Sequence, residues 1–315
     1  MRAANVINIR RNIPKTWQEC LSRFLTMRSA EGAAERTLTG YRQIVELFFS
    51  RYPTAWSAKA TDCVAGFLSQ KGIAVATYNL RLKTLRPFFA FAARQGAFTE
   101  SPAAPFKYRR GQQPRVVDHS IEDMRKVLDA IGTDTFARLR DTALFLFNLD
   151  SGIRPSEALA LRPADVDTHL RRASVRASTS KTLKPRTVFF SQPTAEMIDR
   201  LIEARPEEWT GAVPVFCTSY GDEWSTHSWT VQLRRYAEKA GLKRFSAYDL
   251  RHKYALEALR NGMDVFSLQR SMGHSTLTMT EQYLALADDD VAAAHAKASP
   301  VAAMMPPPRR RAGKV

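Results

Sequence analysis

The sequence predicts a mainly α-helical protein with a small β-sheet, an α+β fold in two domains. Three observations predict it. Apolar residues recur at helical spacing through the first hundred residues. A proline- and base-rich break at 101–115 interrupts that spacing. Beyond it, two short β-prone runs flank a polar tip within an otherwise helical stretch.

The first helix is expected over 16–27, where Trp17, Cys20, Leu21, Phe24 and Leu25 share a face. The second, 37–49, repeats the pattern with Leu38, Tyr41, Ile44, Val45 and Phe48. A third covers 60–68 and a fourth 75–94, with Tyr78, Leu82, Leu85 and Phe89 facing inward. Pro87 is a candidate kink in that fourth helix. After the break, Ser120 with Asp123 marks a capped helix start, predicting helices over 120–131 and 136–149 and a short one after Pro155. Strands are expected at 173–177 and 186–190 around the polar tip 178–185, and helices from 193 to 297. These elements divide into a helical domain at 1–110, a linker at 111–119, a mixed domain at 120–298 and a basic, disordered tail at 299–315.

Charge points to a polyanionic partner. There are 47 Lys and Arg against 31 Asp and Glu, a net +16. Residues 1–118 hold 19 basic and 7 acidic residues (19 − 7 = +12), which makes the N-terminal part the stronger electrostatic clamp. The plainer reading is a basic, merely solvated surface. Cys20, Cys63 and Cys217 lie far apart without metal-ligand spacing, as free thiols in a reducing cytoplasm would. The first fifteen residues carry no apolar stretch of signal-peptide type. The apolar run 143–147 is too short to span a bilayer, so no membrane role is expected.

Four segments carry candidate chemistry. In Ser151-Gly-Ile-Arg-Pro-Ser-Glu157, Gly152 ends a helix and Pro155 opens the next. Arg154 is held at that junction, where an arginine suits an anion, and Glu157 one turn on can brace it. In the polar tip, Lys181 and Lys184 can reach a neighbouring groove. In Ser246-Ala-Tyr-Asp-Leu-Arg-His-Lys253, Tyr248, Arg251 and His252 share one helix face. In Ser271-Met-Gly-His-Ser275, Gly273 ends a helix, His274 sits at the bend and Ser275 can cap the next helix. Tyr283 follows nine residues after His274. Read alone, Arg154 is as readily a turn arginine, and the other segments are more readily ordinary structure: a solvated lysine or helix face, a core histidine, a half-buried tyrosine.

Together, in this order and spacing, they resemble the boxes of the tyrosine recombinase, or phage integrase, family over roughly 120–290. Thr77-Tyr-Asn-Leu-Arg-Leu-Lys83 and the following Arg86 resemble its core-binding helix. The resemblance implies a helical core-binding domain and a mixed catalytic domain forming a C-shaped clamp on DNA. It implies catalytic roles for Arg154, Lys181, Arg251 and His274, with Tyr283 as nucleophile. Lys184 is the second claimant for the lysine role. Tyr248 stands where the family most often has His, which leaves the general base open between His274 and His252, with Tyr248 orienting the phosphate. Glu157 would support Arg154, and Thr77, Asn79, Arg81, Lys83, Arg86 and Lys184 would contact DNA.

The implied reaction is site-specific cleavage and rejoining of DNA strands through a 3′-phosphotyrosine. It calls for no metal and no cofactor, and no acidic cluster or Gly-rich phosphate loop appears in the sequence. The implied partner is double-stranded DNA with inverted-repeat core sites, bound by a homodimer on one site and a homotetramer in the synapse, in a cytoplasmic, nucleoid-associated protein. Two rival readings are a type IB topoisomerase and a non-catalytic DNA-binding regulator on the same fold.

Overall fold

In a computed structural model, residues 13–111, 117–179, 184–284, 295 and 299–304 are described. The chain divides into two compact units, Met1–Arg115 and Val116–Val315.

The first unit is helical: α1 (Trp17–Ala30), α2 (Glu35–Arg51), α3 (Ala60–Leu68) and α4 (Val75–Arg94). Its core is aromatic. Phe48 meets Phe67, Phe89 and Phe49 edge-on, and Phe24 meets Phe88 the same way, the geometry ring quadrupoles favour. Trp17 stacks on Phe49 with centroids 4.7 Å apart. α4 runs on through Pro87 as one helix, where a kink was the candidate.

Three of the expected DNA contacts on α4, Asn79, Arg81 and Arg86, are engaged within the unit. Arg81 is buried, with Nη1 donating to the Phe67 carbonyl at 2.7 Å and to Gln70 Oε1 at 3.1 Å, and its guanidinium lies 4.1 Å from the Phe67 ring centroid. It is a core-facing cation. Asn79 exchanges two 2.9 Å hydrogen bonds with the Arg109 backbone. Arg86 donates to the Phe106 carbonyl, and Tyr78 donates to that of Lys107 at 3.0 Å. These bonds lay the chain at 106–109 along α4. Thr77 and Lys83 remain exposed.

The second unit opens with α5 (Ile121–Ile131), started by the reciprocal capping of Ser120 and Asp123. α6 (Phe136–Ser151) follows, buried on nearly every side, then α7 (Pro155–Leu159). The sheet is antiparallel in the order β1 (Val166–Asp167), β2 (Arg172–Val175), β3 (Arg186–Phe189). Val175 pairs with Arg186 next to the loop. The two expected strands are present, and β1, two residues long, is an addition. Among the described residues, α8 (Gln192–Glu203), α9 (Thr226–Lys239), α10 (Ala247–Arg260), α11 (Val265–Met272) and α12 (Thr278–Leu284) follow. A further turn of helix, α13, spans Pro300–Met304.

The main core joins α6, α8, α9, α10 and the sheet through residues such as Phe147, Ile198, Trp229, Val188 and Leu250. A smaller cluster of Ala255, Leu256, Leu268, Met272 and Tyr283 packs α10, α11 and α12 together. At the unit's start, Asp118 pairs with Lys253 at 3.1 Å and Arg260 at 2.8 Å, so the chain entering α5 is bound to α10. Ser275 is not the cap expected of it: α12 begins three residues later, and Ser275 Oγ points at Met279 Sδ, 3.8 Å away. Lys181, most of the expected segment beyond 284 and the tail from 305 lie outside the described residues. Among the described residues, no helix is long and apolar enough to cross a membrane.

Candidate active site

One cavity of about 900 Å³ gathers the chemistry of the second unit. Its walls include Arg154, Lys184, Arg186, Tyr248, Arg251, His252, His274 and Tyr283. They come from the α6–α7 junction, the start of β3, α10, the α11–α12 bend and α12.

Two glycines shape the walls. Gly152 closes α6 in the left-handed region at φ 60°, and a Cβ there would lie 2.1 Å from the Tyr254 ring. Its carbonyl accepts a hydrogen bond from Arg251 Nη1. Gly273 closes α11 at φ 63°, and a Cβ there would crowd the Arg186 guanidinium at 3.0–3.1 Å.

The end of α11 then does something specific. Helices leave their last carbonyls without intrahelical partners and carry partial negative charge there. Here three consecutive carbonyls each take a guanidinium: Ser271 from Arg186 Nε at 3.1 Å, Met272 from Arg251 Nη2 at 2.8 Å, Gly273 from Arg154 Nη2 at 2.7 Å. The three arginines come from β3, α10 and the α6–α7 junction, yet they meet on one turn of backbone.

A single buried carboxylate completes the cluster. Glu157, 1% exposed, accepts from Arg154 Nη1 at 3.0 Å and from both terminal nitrogens of Arg186, at 3.0 and 2.6 Å. Burial works to raise its pKa, but the bonds and charges of Arg186 and then Arg154 prevail and hold it below the ordinary glutamate value. Arg251, 4% exposed, is drawn down to about 10 by burial and by the positive charge of Arg154, and stays cationic at neutral pH.

The phenol and the imidazoles lie beside these cations. Tyr283 is 1% exposed, and its hydroxyl sits 2.6 Å from His252 Nδ1. Burial, reinforced by Arg251 against a pull from Asp249, pushes His252 below the usual histidine pKa. His274 Nδ1 is 2.9 Å from Thr280 Oγ1. Burial and then Arg251, Arg154 and Arg186 push it down to about 4, so at neutral pH it is an uncharged imidazole. Tyr248 stands on the rim, 48% exposed, and Lys184 is exposed on the opposite strand approach.

The structure therefore brings Arg154, Glu157, Lys184, Tyr248, Arg251, His252, His274 and Tyr283 to one place. Arg186 was not anticipated. It follows Lys184-Pro185 as an ordinary strand residue, and its partners lie 29 and 85 positions away.

One unit thus gathers guanidiniums, imidazoles and a buried tyrosine around a single cavity. Comparison with known proteins bears on this directly. Residues 120–290 match the model of the phage integrase family. The chain is 30% identical over 320 residues to tyrosine recombinase XerD of Xanthomonas axonopodis pv. citri, covering 95% of this chain and 99% of that one. It is 26% identical to tyrosine recombinase XerC of Vibrio atlanticus, over 91% and 95% of the two chains. Its fold is similar to that of a lambda integrase dimer bound to a COC′ core site, with TM-score 0.65 and 20% identity over 84% of this chain and 76% of that one. The chain belongs to the phage integrase family, and it is a tyrosine recombinase enzyme.

Two outcomes follow from this geometry. Gly152→Ala forces a methyl into Tyr254 at a positive φ and should destabilise the second unit by about 2–5 kcal/mol, read from urea unfolding. The His274 imidazole titrates near 6.5 when unfolded and near 4 when folded. Between those values the unfolded chain binds more protons, so stability is full above about pH 6.5 and falls as pH drops toward 4, by on the order of 3 kcal/mol. His274→Gln should flatten that part of a stability–pH profile.

Proposed function

We propose that this recombinase cleaves and rejoins DNA through a covalent 3′-phosphotyrosine on Tyr283. The observation that carries the reading is the Tyr283 hydroxyl, hydrogen-bonded to an imidazole and set in a cavity walled by Arg154 and Arg251.

In the proposed step the phenolic oxygen attacks a backbone phosphorus. Its proton passes to His252 Nδ1, 2.6 Å away and kept neutral by burial. The geometry favours His252 as the base over His274, whose Nδ1 faces Thr280. The guanidiniums of Arg154 and Arg251 take the non-bridging oxygens, whose charge grows in the pentavalent state. The P–O5′ bond breaks, and the departing oxygen takes a proton from Lys181, with Lys184 the second claimant on the cavity wall. A 5′-hydroxyl of another strand reverses the sequence and frees the phenol. No water is consumed, so the phosphodiester energy is conserved. Tyr248 orients the phosphate from the rim.

The proposed partner is duplex DNA with inverted-repeat core sites, bound by two protomers and paired by four. The basic N-terminal unit would grip the duplex through exposed Thr77 and Lys83 of α4.

The reading is tested on supercoiled plasmids carrying DNA that flanks the protein's own gene, quenched with SDS. Wild type should yield an SDS-stable adduct and, on paired sites, recombinant product rather than mere relaxation. Tyr283→Phe should bind the same DNA and yield no adduct, and an adduct in that variant would move the nucleophile elsewhere. Tyr248→His should keep cleavage, because the residue the family uses more often is restored; a folded Tyr248→His protein without cleavage would end the orienting role.

A further inference from the structure

Arg186 lines the same cavity and has no part in the reaction described so far. Its side chain is 9% exposed. Its Nε is fixed on the Ser271 carbonyl, and Gly273 leaves just enough room beside it. Both terminal nitrogens grip Glu157, while Arg154 uses one nitrogen on the same carboxylate and another on the Gly273 carbonyl.

The consequence is electrostatic. A lone Glu157 facing Arg154 would form a simple buried ion pair, and the charge meant for a phosphate would be largely cancelled. With Arg186 added, one carboxylate is shared between two guanidiniums. Counting Arg251, three positive charges then face one negative. A phosphodiester carries one negative charge, and its pentavalent state concentrates more on the non-bridging oxygens, so the surplus matches the need. The bidentate grip of Arg186 also leaves Glu157 a fixed acceptor that holds Arg154 in one rotamer.

We propose that Arg186 is a positioning residue for strand cleavage: it neutralises Glu157 so that Arg154 is both held in place and left with its charge available to the scissile phosphate. This rests on the reaction proposed above.

The test uses single-turnover cleavage of the plasmid site at saturating protein, alongside DNA affinity. Arg186→Met should slow cleavage by about 10- to 100-fold with affinity nearly unchanged. Adding Glu157→Gln to Arg186→Met should recover much of that loss, because the carboxylate that then quenches Arg154 is gone. A merely structural brace predicts the reverse, the double variant slower than the single one. A folded Arg186→Met protein cleaving at the wild-type rate, or a double variant no faster than the single, overturns the proposal. Should Arg186→Met not fold, Arg186→Lys keeps the charge without the fork. It should cleave within about tenfold of wild type, and a larger loss would count against a charge role.

If wild type itself forms no adduct, the reaction reading fails, and the charge role is then read from carbon NMR of the Glu157 carboxyl. Loss of Arg186 should raise that titration midpoint, and an unmoved midpoint would refute the role.

Discussion

The second unit is organised around the last turn of α11, where three successive carbonyls receive three guanidinium groups. Like charges this close would repel, and burial makes the repulsion stronger because water is not there to screen it. The carbonyl dipoles and Glu157 compensate. Desolvating several ions is offset only when their geometry and hydrogen bonding are this complete. The arrangement fixes three chain segments that are remote in sequence, so it is a tertiary lock.

That lock explains the two glycines better than turn preference does. Gly152 is left-handed because α6 must end there, but it is also flush against Tyr254, so its carbonyl can face Arg251. Gly273 presents its carbonyl to Arg154 and its bare Cα to Arg186. A side chain at Gly152 would strike the Tyr254 ring, and one at Gly273 would crowd the Arg186 guanidinium. Further along α10, Lys253 and Arg260 hold Asp118, so the helix bearing Arg251 and His252 is anchored at its far end too.

Much of this was legible in the sequence where the signal is local. Gly152, Pro155 and Glu157 mark a junction that must hold Arg154, and the spacing of Tyr248, Arg251 and His252 puts them on one face. Both rest on helix geometry over a few residues. Arg186 was not legible, because a strand arginine carries no mark of a carboxylate 29 residues upstream. The burial of Arg81 was not read although a signal existed. That residue lies three residues after Tyr78 and one before Leu82, on the stripe that α4 buries, where a long charged side chain must find carbonyls and a ring face. β1 is too short for alternation to show. The close approach of His252 to Tyr283 joins residues 31 positions apart on two helices, and spacing alone left it one option among two.

The near-complete enclosure of Tyr283 has a bearing on fidelity. Its ring belongs to the small apolar cluster with Leu256, Leu268 and Met272, so the hydroxyl emerges from a dry floor. A phosphate ester formed on that oxygen would be shielded from bulk solvent on the side the ring occupies. If Tyr283 carries the ester proposed above, the packing that holds α12 in place would also disfavour its hydrolysis.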